Sequence, residues 1–178
     1  MKTLDLIKSD LARLDKVSFT KFLKWYFFPK GSTFPFQVWF RIVAGLKKNK
    51  FLKFTIGSIA YFIYRHFSFK YGISANTNIE VGAGLNIAHG FGVFLNCKKI
   101  GENFTVYQGV TLGSDAHDNS LIPTVGNSVT IYPGSVITGG ITLGDFSVIG
   151  ANSYVSKNIP EYAIAVGAPV KIIKYRNR

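Results

Sequence analysis

The chain has 178 residues, of which 47% are hydrophobic and 15% aromatic, so its composition predicts a globular protein and excludes a disordered one. Its single cysteine, Cys97, excludes an internal disulfide framework and favours a reducing compartment. The formal net charge of +12 suits an anionic partner; nucleic acid is not expected, because no recognition motif accompanies the basic residues.

The positive charge is concentrated at the start of the chain. Residues 1–72 hold 14 Lys or Arg against 3 Asp, a balance of +11, whereas residues 73–178 hold 7 basic against 6 acidic residues. Both Trp and 12 of the 16 Phe also lie in residues 1–72. We therefore divide the chain into a basic, aromatic N-terminal part, residues 1–72, and a nearly neutral second part, residues 73–178.

Four helices are predicted in the N-terminal part. The first follows a predicted N-cap, Thr3, and has apolar residues at helical spacing at Leu4, Ile7, Leu11 and Leu14. The others are expected over residues 19–28, from Pro35 in the first turn to about Lys48, and over residues 51–67. The longest uncharged run of the last helix has 11 residues, too short to span a bilayer at ~20.

Two interpretations of these helices stay open. Either they pack on the base of the second part with their lysines in solvent, or their aromatic, cationic surface lies on an anionic leaflet. No secretory signal is recognised in residues 1–16, where no apolar core precedes a cleavage site. The expected location is the cytoplasm, with peripheral contact at the inner membrane under the second interpretation.

From residue 81 to about residue 160 the sequence follows a six-residue period. Each hexad begins with an aliphatic residue: Val81, Ile87, Val93, Ile100, Val106, Leu112, Val125, Ile131, Ile137, Leu143, Ile149 and Val155. A small or apolar residue stands four positions later, and Cys97 is one of these, so we expect it in the core. This period predicts a mainly β solenoid, with three hexads to a triangular coil and about 4.8 Å between coils.

Two intervals depart from the period. The step from Val93 to Ile100 is 7 residues, which predicts one extra residue at a corner of that coil. The step from Leu112 to Val125 is 13 residues, which predicts that a loop of residues 114–124 leaves the coil. Loops that leave a rigid scaffold often contain functional residues.

Three segments of the repeat resemble the hexapeptide-repeat acyltransferases, in their serine acetyltransferase-like branch. They are Ile-Gly-Glu-Asn-Phe-Thr-Val-Tyr-Gln-Gly-Val-Thr-Leu-Gly at 100–113, Ile-Gly-Ala-Asn-Ser-Tyr-Val-Ser-Lys-Asn-Ile-Pro at 149–160 and Val-Gly-Ala-Pro-Val-Lys at 166–171. The resemblance implies a left-handed parallel β-helix, a homotrimer, and acetyl-CoA as co-substrate in the groove between subunits. The N-terminal part looks closer to short acetyltransferases of cell-surface polysaccharide synthesis, through residues 40–48.

His89 is the expected catalytic residue. It lies in Asn-Ile-Ala-His-Gly-Phe-Gly at 86–92, which resembles the His-x-x-Gly segment of the branch's catalytic histidine. A hydroxyl is a poor nucleophile until its proton is accepted, and a neutral imidazole accepts it at neutral pH. Direct transfer in a ternary complex is favoured, because no nucleophile elbow is present. In the loop, Asp115, His117 and Asp118 are candidates for contacting the acceptor or orienting His89, or they are simply solvated.

The resemblance also implies a set of cofactor-binding residues. The backbone of Ala151 is expected at the pantetheine arm, Ser156 and Lys157 near the adenosine end, and Lys171 and Lys174 at the phosphates of CoA. Gly113, at the end of the first resembling segment, is assigned to the same site.

Two departures from the serine acetyltransferases bear on the acceptor. Ala88 stands where those enzymes have an aspartate before the catalytic histidine, and Leu121-Ile122 replace an Arg-His pair before a proline. We therefore predict an O-acetyltransferase that acts on a saccharide hydroxyl, lipid-linked or not, in bacterial surface polysaccharide synthesis. The alternatives are serine O-acetyltransferase of cysteine biosynthesis and a non-catalytic β-helix scaffold. A γ-type carbonic anhydrase needs three converging histidines, which the well-separated histidines here do not supply, and no metal is expected.

Overall fold

In a computed structural model, residues 1–30, 32–47 and 55–177 are described, and they form a helical N-terminal part followed by a parallel β-solenoid. The helices are α1 (Thr3–Ala12), α2 (Phe19–Phe27), α3 (Phe34–Leu46) and α4 (Ile56–Tyr71). No helix among the described residues has the length and apolar character needed to cross a membrane.

The first helix begins one residue earlier than the sequence predicted. Thr3 is the first helical residue rather than the N-cap, which is Lys2. The Thr3 side chain instead packs against α3 at Gly45. The contact is so close that a Cβ added at Gly45 would lie 2.3 Å from Thr3 Oγ1. The predicted end of α3 at Lys48 and the predicted start of α4 at residue 51 lie outside the described residues.

The last helix extends beyond residue 67, where the sequence predicted its end. It continues to Tyr71 and is terminated by Gly72, whose φ of 60° is left-handed. Glycine adopts this conformation without a steric penalty and ends helices for that reason. The first strand begins directly afterwards at Ile73.

Three parallel sheets form the faces of the solenoid, and the chain visits them in turn. The first sheet comprises β1 (Ile73–Ala75), β4 (Val93–Leu95), β7 (Thr111–Gly113), β10 (Val136–Thr138) and β13 (Tyr154–Val155). The second comprises β2 (Glu80–Val81), β5 (Lys99–Ile100), β8 (Thr124–Val125) and β11 (Thr142–Leu143). The third comprises β3 (Asn86–Ile87), β6 (Thr105–Val106), β9 (Thr130–Ile131), β12 (Val148–Ile149), β14 (Ala163–Val166) and the antiparallel β15 (Lys171–Tyr175).

This arrangement confirms the predicted parallel β-helix, whose handedness stays a prediction. The aliphatic residues that begin the hexads stack inside it, and on the third sheet they are at most 1% exposed: Ile87, Val106, Ile131 and Ile149. Cys97 is buried as expected, and burial raises the pKa of its thiol to about 12. A thiol with such a pKa stays protonated near neutral pH and is a poor nucleophile.

The position of the extra residues in the first coil was predicted wrongly. Leu95, not Val93, pairs with Leu112, while Val93 pairs with Ile73. The interval from Ile87 to Leu95 is therefore 8 residues, where Val106 to Leu112 in the next coil is 6. The two additional residues lie between β3 and β4, in the corner that contains His89, and not after Val93. Hydrophobic spacing alone could not reveal this, because valine fits both positions.

A buried ion pair fastens the helices to the base of the solenoid. The Arg41 guanidinium donates two hydrogen bonds of 2.9 Å to the Asp10 carboxylate and two of 2.6 Å to the carbonyls of Val81 and Gly82. Asp10 also accepts a hydrogen bond of 2.8 Å from the backbone N–H of Leu85. The arginine of the segment 40–48 is therefore structural. The helices pack on the solenoid base, and the membrane interpretation concerns only their outer side.

Candidate active site

His89 lies in the lengthened corner between the third and first sheets. Its φ of 51° is left-handed, and its side chain is exposed. The residues just before α3 hold this corner from below, since Thr33 Oγ1 donates to the Ile87 carbonyl at 2.8 Å and Ser32 forms a β-bridge with Ala88. The helical part therefore fixes the backbone from which the imidazole projects.

Gly90 makes this close approach feasible. A Cβ at this position would lie 2.4 Å from Thr33 Cγ2 and 2.9 Å from Ile73 Cδ1, both well inside van der Waals contact. Only a residue without a side chain fits between the corner and the helical part without displacing one of them.

One aromatic ring lies near the imidazole, and a second ring stacks on the first. The Tyr107 ring lies 6.4 Å from the His89 ring, and Tyr132, one coil further on, stacks on Tyr107 at 5.3 Å with an interplanar angle of 7°. Phe91, in the same corner, is 67% exposed. Across the described residues of a single chain, no hydrogen bond or ion pair to a carboxylate orients the imidazole. Sequence reasoning missed the tyrosines, although both directly follow the aliphatic residue that begins their hexads.

The loop of residues 114–124 leaves the solenoid between β7 and β8, as predicted. Its polar side chains mainly stabilise its own turns. Asp115 accepts a hydrogen bond of 2.8 Å from the backbone N–H of His117, and Asp118 accepts bonds of 2.8 and 2.6 Å from the N–H and hydroxyl of Ser120. The bonds from Ser120 lower the pKa of Asp118, so this exposed carboxyl is ionised at neutral pH.

The loop and His89 stand at opposite edges of the first sheet. His89 precedes β4 in the corner where the chain enters that sheet, and the loop follows β7 in the corner where it leaves. Three-residue strands separate the two corners, a width of about 10 Å. The structure therefore does not bring Asp115, His117 and Asp118 to the imidazole of the same chain. Contact with the acceptor, and with the His89 of a neighbouring chain, stay predictions for these residues.

The expected cofactor residues are also divided between edges. Gly113 ends β7, and Ser156 and Lys157 directly follow β13, so these three lie on the loop's edge. Ala151 lies in the turn after β12, on the same edge as His89 but three strands further along the third sheet. In a single chain the expected site residues are thus divided between two edges of the solenoid.

The two lysines expected at the CoA phosphates lie on β15. Lys171 pairs with Val166 and Lys174 with Ile164, so both belong to the antiparallel strand that ends the third sheet. Every residue of this strand is exposed. The cationic groups are therefore accessible to an anion at the end of the solenoid opposite the helices.

The three histidines stand apart, on α4 (His66), in the lengthened corner and in the loop. Over residues 1–30, 32–47 and 55–177, no three His, Cys, Asp or Glu side chains are grouped as metal ligands would be. This geometry gives no support to the carbonic anhydrase alternative, which needs three imidazoles on one ion.

Comparisons with known proteins match this architecture. Residues 122–157 match the family described as "Bacterial transferase hexapeptide (six repeats)". A serine acetyltransferase of Helicobacter pylori (strain J99) is 36% identical over 140 residues, which cover 75% of this chain and 77% of that protein. A serine acetyltransferase of Staphylococcus xylosus is 36% identical over 145 residues, 79% of this chain but only 64% of the relative. The crystal structure of Neisseria gonorrhoeae serine acetyltransferase in complex with serine aligns with a TM-score of 0.77 at 25% identity, over 97% of this chain and 69% of that one.

Proposed function

Because the chain belongs to the hexapeptide-repeat acyltransferase family, we propose that it transfers an acetyl group from acetyl-CoA to a hydroxyl, with His89 as general base. The observation that supports this role is the exposed imidazole in a corner lengthened by two residues and held by Thr33. The non-catalytic scaffold is the alternative that the relatives, all named as enzymes, do not favour.

The proposed chemistry needs one proton acceptor. The imidazole of His89 accepts the hydroxyl proton as the acceptor oxygen attacks the thioester carbonyl. The tetrahedral intermediate then collapses, the carbon–sulfur bond breaks, and the CoA thiolate takes the proton back from the imidazolium. The products are an acetyl ester and CoA, and the base returns to its neutral form without a covalent enzyme intermediate.

A second chain completes the site in this proposal. The edge with the loop, Gly113, Ser156 and Lys157 and the edge with His89 and Ala151 are complementary halves, so the homotrimer that the resemblance implies would join them. The test is complementation within mixed oligomers. Chains with His89→Ala, co-assembled with chains that lack residues 115–120, should recover activity that neither variant has alone. Failure to recover it, with mixed oligomers verified, would place the whole site in one chain.

L-Serine is the acceptor that the comparisons favour, because the relatives are named serine acetyltransferases and one of the similar solved structures contains serine. A serine acceptor needs partners for an ammonium and a carboxylate. In this chain such groups would have to come from elsewhere than Ala88 and Leu121-Ile122, which are apolar. The loop residues Asp115, His117 and Asp118 of a neighbouring chain are candidates.

A saccharide hydroxyl is the second candidate, and the surroundings of His89 favour it. The Tyr107 ring lies 6.4 Å from the His89 ring, Tyr132 stacks on Tyr107, and Ala88 adds no charge. Aromatic faces suit the apolar faces of a neutral sugar ring, whereas Ala88 and Leu121-Ile122 offer a zwitterion no charged partner. A role in surface polysaccharide synthesis, with a free or lipid-linked acceptor, belongs to this second candidate. Contact with a membrane is a separate proposal, since it depends on the helices.

Turnover measured by thiol release tests both the role of His89 and the identity of the acceptor. Acetyl-CoA is supplied with L-serine, free sugars, nucleotide sugars or lipid-linked oligosaccharides. His89→Ala should lower kcat by about 10²–10⁴-fold, while the matched control His66→Ala, an exposed histidine on α4, should not change it. Near wild-type turnover by His89→Ala would refute the assignment of the base. The acceptor with the highest kcat/KM decides between the two candidates, and no turnover with any acceptor would favour the scaffold.

A further inference from the structure

The outer side of α2 is apolar and uncovered. None of the residues of α2 is buried, and Phe19, Leu23 and Phe27 recur every four residues, which places them on one face of the helix. Phe19 is 75% exposed and Phe27 64%, and Phe28, just past the helix end, is 71% exposed. A helix that shows such a face to water has a partner that one chain does not supply.

The outer side of α4 has the same character. Its inner side buries Ala60, Tyr64 and Ser68 against the rest of the protein. Ile59, Phe62 and Phe69 lie on the opposite side, and they are 66%, 76% and 74% exposed. The two helices adjoin, because the Tyr26 ring at the end of α2 lies 6.3 Å from the Phe67 ring on α4. We call these uncovered residues of α2 and α4 the aromatic face.

Cations outnumber acids around the aromatic face. Lys21 and Lys24 lie on α2, and Arg65 and Lys70 on α4, where the Arg65 guanidinium stands 4.5 Å over the Phe69 ring. The three acids of residues 1–72 are Asp5 and Asp10 on α1 and Asp15, which lies 3.0 Å from Lys21 and 4.0 Å from Lys24. Asp15 therefore neutralises only part of the positive charge of these four cations.

The charge decides between occupants of this face. A second copy of the same face would bring lysines and arginines against one another across a desolvated contact, which opposes association. A bilayer with anionic lipids offers both an apolar environment and negative charge. The phenylalanine side chains enter the boundary between headgroups and acyl chains, and the cations remain among the headgroups. We propose that the aromatic face docks the protein on the surface of an anionic phospholipid bilayer.

Vesicle co-sedimentation tests this docking with the full-length protein. Vesicles of phosphatidylcholine alone are compared with vesicles that also contain phosphatidylglycerol, at low and at high ionic strength. We expect binding to anionic vesicles at low salt at least about ten times tighter than to neutral ones, since each basic residue near the surface adds attraction. High salt should weaken this binding, because it screens the headgroup charge.

Matched variants assign the binding to this face. Phe62→Asn with Phe69→Asn should reduce the bound fraction severalfold, and so should Arg65→Gln with Lys70→Gln, which leaves the phenylalanines intact. Phe146→Asn, an exposed aromatic residue on the solenoid, should not reduce it. Circular dichroism verifies that each variant is folded. Equal binding to neutral and anionic vesicles, no binding, or unchanged binding by both double variants would overturn the proposal. A change of oligomeric state in the phenylalanine variant, without vesicle binding by the wild type, would instead identify a contact between copies.

Discussion

Replacing Arg41 with methionine should strongly destabilise the protein, because it leaves the Asp10 carboxylate buried without its counter-ion. Asp10 is 1% exposed and Arg41 3%. The substitution removes two hydrogen bonds to the carboxylate and two to the carbonyls of Val81 and Gly82. Breaking a buried pair by removing one partner costs about 3–5 kcal/mol. The alkyl part of methionine retains some packing, so we expect a loss at the lower end of this range.

The pH dependence of this loss follows from Asp10. Burial raises the pKa of this carboxyl, and Arg41 opposes the increase. Without the guanidinium, the folded-state pKa of Asp10 rises further above its unfolded value, so the folded state binds a proton that the unfolded state releases. Stability of Arg41→Met therefore falls as pH rises above the unfolded value. The difference from the wild type should be largest near about pH 7 and should shrink toward about pH 4.

Denaturant unfolding at several pH values measures both effects. The double variant Asp10→Asn with Arg41→Met is the control, because it removes the unpaired charge but keeps a similar volume. It should be more stable than Arg41→Met alone at neutral pH. A loss of less than about 1 kcal/mol, or a loss that is the same at both ends of the pH range, would contradict the reasoning, since surface pairs behave in that way.

Three further predictions concern the site. Lys171→Ala should raise the KM for acetyl-CoA with kcat nearly unchanged, because contacts to a remote phosphate are equally strong in the ground and transition states; an unchanged KM in steady-state kinetics would remove this lysine from the cofactor site. Gly90→Ala should lower both the melting temperature and kcat, because its Cβ would lie 2.4 Å from Thr33 Cγ2, and overpacking costs about 1–3 kcal/mol; wild-type values in calorimetry and turnover would show that the corner adapts freely. Ala88→Asp should raise kcat/KM for L-serine relative to sugars by about tenfold or more, because a carboxylate that pairs with the serine ammonium should stabilise the transition state by about 1.4 kcal/mol or more. An unchanged ratio of kcat/KM values in competition assays would show that residue 88 does not select the acceptor.

The hexad period predicted the solenoid correctly because its energetics are local and repetitive. Every coil buries an aliphatic residue at the same place, so the positions of Val106, Ile131 and Ile149 repeat a single packing rule. The rule loses its power at the corners, where the number of residues between strands differs from coil to coil. The sequence therefore predicted one extra residue after Val93, whereas the structure has two before Leu95, because Val93 is apolar enough to satisfy either register.

The residues of the candidate site stay predictions, and the structure bears only on how they are arranged. The sequence identified the loop and His89 by their departure from the period and by resemblance, and it placed them near one another along the chain. Whether two corners of a triangular coil meet depends on which face separates them. Ile87 pairs with Val106, so the whole of the face that contains β7 lies between the corner of His89 and the loop. The tyrosine pair was overlooked because an aromatic residue after a hexad's first position has no core role to mark it.

The two ends of the solenoid suit different partners. His89 belongs to the first coil, where Thr33 and Ser32 connect it to the helical part that contains the aromatic face. The exposed lysines of β15 stand at the other end of the third sheet, five strand steps away, or about 24 Å at the usual spacing. A docked protein would therefore hold its base near the lipid surface and its cationic strand away from it. Anionic lipid would then not compete with the phosphates of CoA for Lys171 and Lys174, and an acceptor at the membrane would reach His89 from the side opposite the cofactor.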